Sequence, residues 1–163
     1  MIRAVTTADC DAIARIYNHY VLTTIVSFEE QAVSTAQIAE RIAAVQTAGL
    51  PWLVAEEDGR VVGYAYASTW HARSGYRFTV ESTVYLDANA TGRGMGSQLY
   101  DALLVAVQQT GAHVVMATIA LPNPASVALH GKFGFAKVGH LGEIGFKLER
   151  WIDIGYWRRT FER

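Results

Sequence analysis

The stretch Asn89–Ser97, NATGRGMGS, carries glycine at every second position from Gly92 to Gly96, between a β-like run, VESTVYL, and a helical run, QLYDALLVAVQQ. A strand-to-helix turn this bare narrows the choice of folds more than any other part of the chain. Glycine permits positive φ and removes the Cβ atoms that would crowd a ligand, so successive amides can point into one concavity at a helix N-terminus. Such a concavity suits phosphate. A nucleoside-triphosphate loop would continue with Gly-Lys-Ser/Thr, but Gly96-Ser97 leads into Gln98 with no lysine. A dinucleotide fold wants G-x-G-x-x-G and an acid roughly 20 residues later. Here the spacing is G-x-G-x-G, and the apolar AHVVMATIA stands where the acid should be. The pyrophosphate of coenzyme A fits the shape R-G-M-G-S between a strand and a long helix. A plain glycine-rich surface loop is the bland alternative.

The surrounding pattern predicts a mixed α/β sheet. IRAV reads as a first strand, followed by a helix capped at Thr6 or Thr7 with Ile13, Ile16, Tyr17 and Tyr20 at helical spacing. Ser34 opens a second amphipathic helix with Ile38, Ile42 and Val45 on its stripe, stopped by Gly49. WLVAEEDGRVVGYAYASTW is a hairpin around EDGR, and FTVESTVYLD is a third long strand. After the glycine helix, HVVMATIAL is apolar enough for mid-sheet, and Asn123-Pro124 reads as N-cap and first turn of a helix to about Lys132. FAKVGHL and WIDIGYWRRTF close the chain as strands. The order β-α-α-β-β-β-α-β-α-β-β implies one domain over residues 1–163, with helices on both faces of the sheet.

At net charge −1 with both signs scattered, the 163-residue chain has no basic stripe for nucleic acid. No segment looks like a signal peptide or a membrane span, so a cytoplasmic protein is expected. The one cysteine, Cys10, cannot form an internal disulfide and reads as a small buried hydrophobe. The four tryptophans, Trp52, Trp70, Trp151 and Trp157, read as packing residues.

TVYLDANATGRGMGSQLYDALL resembles the acetyl-CoA motif of the GNAT acetyltransferase superfamily, and NPASVALHGKFGF its second cofactor motif. Together with IYNHYVLTTIVSFEE, PWLVAEEDGR, YAYASTWHARSGYRFTVESTVYL and GFKLERWIDIGYW, they make nearly the whole chain similar to the phosphinothricin, methionine sulfoximine and arsinothricin acetyltransferase group. The resemblance implies a GNAT fold and acetyl transfer from acetyl-CoA to the α-amino group of a small amino acid or toxic glutamate analogue, with no metal. Acetylation of a polyamine, an aminoglycoside or a protein N-terminus, and a non-catalytic acyl-CoA sensor, are the alternatives.

The resemblance places the cofactor on Val84, Tyr85 and Leu86, on Thr91, Gly92, Arg93, Gly94, Met95, Gly96 and Ser97, and on Asn123 and Lys132. Thr91 departs from the usual Gln or Arg, and His130 from a common tyrosine that protonates the leaving thiolate. Period two puts Thr79, Glu81, Thr83 and Tyr85 on one strand face, more polar than a core needs, so that face should line a cavity. Glu81 is the catalytic-base candidate, with Tyr85 and His130 beside it; a solvated strand glutamate and a simply hydrogen-bonded histidine are the plain readings. Arg73, Tyr76 and Arg77 match the group's substrate loop, and a guanidinium suits bidentate capture of an anionic head; solvated loop arginines are the alternative. Ser27 and Phe28 match a substrate-contacting segment. The resemblance also implies a homodimer in which the stretch around Ile25–Phe28 reaches toward the neighbour's pocket.

Overall fold

The computed structural model describes residues 1–162. Seven strands form one sheet: β1 (Ile2–Ala4), β2 (Trp52–Glu57), β3 (Arg60–Thr69), β4 (Thr79–Leu86), β5 (Val114–Leu121), β6 (Ala136–Lys147) and β7 (Arg150–Thr160). Their spatial order is β1-β2-β3-β4-β5-β7-β6, antiparallel throughout except for the parallel β4–β5 pair. The helices are α1 (Cys10–Thr23), α2 (Thr35–Thr47), α3 (Met95–Gln109) and α4 (Pro124–Lys132).

Local chemistry explains the element ends. Ser34 and Gln37 form a reciprocal capping box at α2. Asp58 and Gly59, at φ 49° and 75°, make the tight β2–β3 turn. Asn123 caps α4 by accepting from the Ser126 N–H at 3.1 Å. The glycine-loop helix begins at Met95, earlier than the apolar pattern from Gln98 suggests, so Gly96 falls in its first turn and Gly94 at its N-cap.

Each sheet face has its own core. Ile13, Ile16 and Val21 of α1 and Ile38 and Ile42 of α2 pack on Val54 and Tyr64. On the other face Leu99, Leu103 and Val107 of α3 cover Ala65, Val115 and Ala117. Burying each such aliphatic side chain contributes about 1.5–3 kcal/mol. Cys10 is buried as expected.

The tryptophan assignments split. Trp52 and Trp157 are buried, but Trp151 is 63% exposed on β7 beside Phe146, with ring centroids 5.0 Å apart. Period-two alternation explains this, because its neighbour Ile152 takes the inward position. β6 also runs past the expected strand to Lys147, carrying an irregularity between Leu141 and Gly145.

The feature that builds the site is a split in the sheet. β4 pairs with β5 only at Thr79, Val80 and Glu81. Beyond Glu81 the two parallel strands diverge, and the β5-facing edge of β4 from Ser82 to Leu86 has no strand partner.

Candidate active site

Two cavities meet at this fork. The first, about 310 Å³, is lined by Glu81 to Tyr85 of β4, Ala117 to Ala120 of β5, Val26 to Phe28, and Asn123, Ser126 and His130. Consecutive β4 residues line it, not only the odd-numbered polar face. The reason is that the cavity is the gap between strands, which opens through the sheet and exposes both faces of β4. The second, about 550 Å³, runs between Val84–Leu86, the loop around Thr91, Gly92 and Gly94, the start of α3, and Asn123, Ser126 and Lys132 of the α4 segment. Val26, Val84, Tyr85, Asn123 and Ser126 belong to both walls, so the two spaces connect at the divergence point.

The second cavity ends on the N-terminus of α3. Gly94 takes the N-cap in the left-handed conformation, φ 81°, and has no side chain to cap the helix. The first helical bond is Gln98 N–H to Gly94 C=O. The Met95, Gly96 and Ser97 amides precede it and have no intrahelical acceptor, leaving donors at the positive end of the helix dipole. Lys132 reaches across from α4 to Ser97 Oγ at 3.1 Å. Arg93 instead points to Glu57, 3.3 Å away, and to the Asn89 carbonyl. The Thr91 hydroxyl turns back to the Ala88 carbonyl, so its contribution to the wall is backbone and methyl. Three open amides, a lysine across the groove and an unpaired strand edge form a donor set that fits the pyrophosphate and amide-bearing arm of acetyl-CoA.

In the first cavity the Glu81 carboxylate makes no hydrogen bond or ion pair among the described residues, which leaves it available to a ligand. His130 is 4% exposed. Its Nδ1 lies 2.7 Å from the Ser126 carbonyl, an acceptor only, so Nδ1 carries the proton and Nε2 presents a lone pair. Burial pushes the imidazolium below its ordinary range, so this ring can accept a proton but, while neutral, has none on Nε2 to give. Tyr85 is wedged among Tyr17, Tyr20 and Tyr64, at centroid distances of 5.2, 5.0 and 5.6 Å. Burial pushes its hydroxyl far above the usual tyrosine range. Asn123, with its carboxamide oxygen committed to Ser126 N–H, has its NH₂ group left over beside both cavities.

Ser27, Phe28 and Thr83 line the same cavity as Glu81. Phe28 lines this cavity in its own chain, and Ile25 is buried with Ala120 and Ile152. Arg73, Tyr76 and Arg77 are not brought to the wall. They lie on the exposed β3–β4 loop, where Arg77 bonds the Ser74 carbonyl and lies over the Phe78 ring at 4.6 Å.

Sequence patterns missed Ser82 and Tyr100. Ser82 Oγ, in the cavity wall, lies 2.8 Å from the buried Tyr100 hydroxyl and 3.3 Å from the Met116 carbonyl. The Tyr100 ring abuts His130 at 5.0 Å. Tyr100 is one more buried position of α3, and the packing places its hydroxyl at the fork.

The acetyltransferase (GNAT) domain family model matches residues 2–155. The chain belongs to the GNAT acetyltransferase family. This GNAT chain is 42% identical over 161 residues to phosphinothricin N-acetyltransferase of Streptomyces viridochromogenes, covering 99% of this chain and 87% of that protein. It is 38% identical to the L-methionine sulfoximine/L-methionine sulfone acetyltransferase of Salmonella typhimurium, over 95% of this chain and 91% of that one. The crystal structure of a GNAT superfamily phosphinothricin acetyltransferase from Sinorhizobium meliloti in complex with acetyl-CoA superimposes with a TM-score of 0.96 at 36% identity, covering 98% of this chain and 87% of that one. The GNAT fold expected from the two glycine and Asn-Pro motifs is thus the fold observed.

Proposed function

We propose that this GNAT enzyme transfers the acetyl group of acetyl-CoA to the α-amino group of a small amino acid, of the kind named for its relatives: phosphinothricin, methionine sulfoximine or methionine sulfone. The observation that carries the proposal is the junction of the two cavities. The groove that ends on the open α3 amides meets the space holding Glu81, a carboxylate with no partner among the described residues.

When bound, acetyl-CoA supplies a thioester carbonyl carbon open to attack by an amine, with release of the free thiol. The chain's residues do the rest. Met95, Gly96 and Ser97 amides hold the pyrophosphate, with Lys132 closing the rim. The free edge of β4 at Val84–Leu86 would pair with the amide-bearing arm, and a backbone N–H there would polarise the thioester carbonyl. Asn123 holds the arm from the α4 side. Glu81, directly or through water, takes the proton that the acceptor nitrogen must lose. His130, fixed with its lone pair outward, orients the water or amine beside it and does not protonate the thiolate. Ser27, Thr83 and Phe28 shape the acceptor space.

One observation favours a second reading. Among the described residues lining the acceptor cavity the titratable side chains are Glu81, Tyr85 and His130, with no lysine or arginine, and an acidic space suits a cationic amine. Against it stand Arg73 and Arg77, on the loop that runs directly into the Glu81 strand. Neither lines the cavity in this structure; their match to the substrate loop of the resembling group is what supports assigning them to the acceptor's acid group. Free-thiol release with a panel of phosphinothricin, methionine sulfoximine, spermidine and an aminoglycoside decides. Preference for the first two is expected, and preference for either cationic amine would overturn the acceptor class.

The enzyme is further proposed to be a homodimer. Its support is the apolar surface of the β6–β7 hairpin, where Ile144, Phe146, Leu148 and Trp151 are each more than half exposed.

A further inference from the structure

The Phe28 ring rests on β6, far away in sequence. A Cβ added at Gly145 would come within 3.0 Å of three Phe28 ring atoms, closer than side chains approach one another. Gly145 has no positive φ among the strained positions of the backbone. The glycine is demanded by the ring and not by the conformation. Two positions along the same face of β6, Lys147 is 3% exposed and donates from Nζ to the Ser27 carbonyl at 2.6 Å. Phe146 between them points outward.

The flanks of the segment are fixed independently. Ser27 Oγ lies 2.8 Å from the Tyr17 hydroxyl. Tyr17 also bonds the Glu29 carboxylate, which Arg41 grips through both guanidinium nitrogens at 3.0 and 2.6 Å. Ile25 packs into a small cluster with Ala120 and Ile152, and Ile152 is the register partner of Gly145. The backbone on either side of Phe28 is pinned, while Phe28 itself is 42% exposed, its ring lying against Gly145 and forming one wall of the acceptor cavity.

We propose that Gly145 and Lys147 are specificity-determining residues. As a backrest on β6 they seat Phe28 and so set how large an acceptor side chain the cavity admits. This rests on the acceptor occupying the space beside Glu81. Neither residue touches the reacting atoms; both are positioning residues that act through Phe28. Filling the seat drives the ring into the acceptor space, and removing the ring leaves a cavity open to bulkier amino acids.

The test is a double-mutant cycle read in two ways. Gly145→Ala should lower the melting temperature of the wild type but leave the Phe28→Ala protein unchanged, because the clash needs the ring. In kinetics with amino acids of increasing side-chain length, Gly145→Ala should raise acceptor KM on the order of 10–100-fold, most for the longest side chains. Acetyl-CoA KM and kcat at saturating acceptor should stay near wild type. In the Phe28→Ala background the same substitution should change acceptor KM by no more than about twofold, the limit of simple additivity. Phe28→Ala alone should shift preference toward bulkier acceptors. Should Gly145→Ala fail to fold, Lys147→Met, which releases Ser27, carries the same kinetic prediction. Equal effects of Gly145→Ala with and without Phe28, or a loss in kcat with no change in acceptor preference, would overturn the proposal. A wild type that ignores amino acids but acetylates other amines would overturn the acceptor class alone, and the same KM comparison then applies to those amines.

Discussion

Replacing Gly96 by valine separates cofactor binding from folding. Gly96 sits in the first turn of α3 with its Cα directed at Leu86, where a Cβ would lie 3.2 Å from Cδ1. That is tight but relieved by a shift of a few tenths of an ångström in a flexible side chain. Valine is better than glycine in a helix by about 0.3 kcal/mol, so these two effects on stability nearly cancel and the melting temperature should hold. The valine methyls, however, enter the groove between Leu86 and the open amides. Losing one amide-to-phosphate hydrogen bond costs about 1.5–3 kcal/mol, the range for bonds to charged groups. That corresponds to a roughly 10–150-fold weaker Kd for acetyl-CoA. Gly94→Ala provides the contrast, since its backbone sits at φ 81° with open space around the missing Cβ. Its penalty is conformational, about 1–2 kcal/mol, or a fall in Tm of roughly 2–8 °C for a chain of this size. Isothermal calorimetry with acetyl-CoA and differential scanning calorimetry read the two quantities. A folded Gly96→Val protein that binds acetyl-CoA with wild-type affinity would refute the placement of the pyrophosphate.

Because burial depresses the His130 pKa in the folded chain, the unfolded chain takes up this proton first as pH falls below about 6.5. The stability that comes from keeping it neutral is present above that pH and is lost as pH drops toward the folded value. His130→Gln should therefore flatten the fall in Tm between pH 7 and 5, and an unchanged slope would argue against it. Arg73→Ala and Arg77→Ala should each raise acceptor KM at least about tenfold with kcat little changed, and Arg→Lys should rescue only partly, because a point charge cannot reproduce the bidentate fork; unchanged KM would leave both as surface residues. Sedimentation should show a dimer that Phe146→Asp or Trp151→Asp converts toward monomer, and a fully active, concentration-independent monomer in the wild type would remove the dimer.

What the sequence revealed follows from how local each signal is. The Asp58-Gly59 turn, the Ser34 box, the Asn123-Pro124 cap and the glycine loop are encoded within a few neighbouring residues, and each forms where its pattern stands. The divergence of β4 from β5 is not local. It depends on how two strands 27 residues or more apart are held by their other partners, so alternation along VESTVYL predicted one polar face where the structure has a gap lined from both. The same holds for Tyr100, whose hydroxyl acquires meaning only beside Ser82. It holds as well for Phe28, seated by Gly145 from the far end of the chain. The His130 tautomer was also hidden, since it follows from a bond to the Ser126 carbonyl within α4. The arginines of HARSGYR were legible as a pair, but their outward placement, with Arg77 stacked on Phe78, was not.

The account stands most directly on Glu81. In Glu81→Gln the shape of the cavity is kept and the basicity is lost, so turnover with the preferred amino acid should fall by roughly 10²–10⁴-fold, as for loss of a general base, while calorimetry shows unchanged acetyl-CoA affinity. Near-normal turnover of the folded variant across the pH range would contradict the assignment of this carboxylate as the group that takes the acceptor's proton.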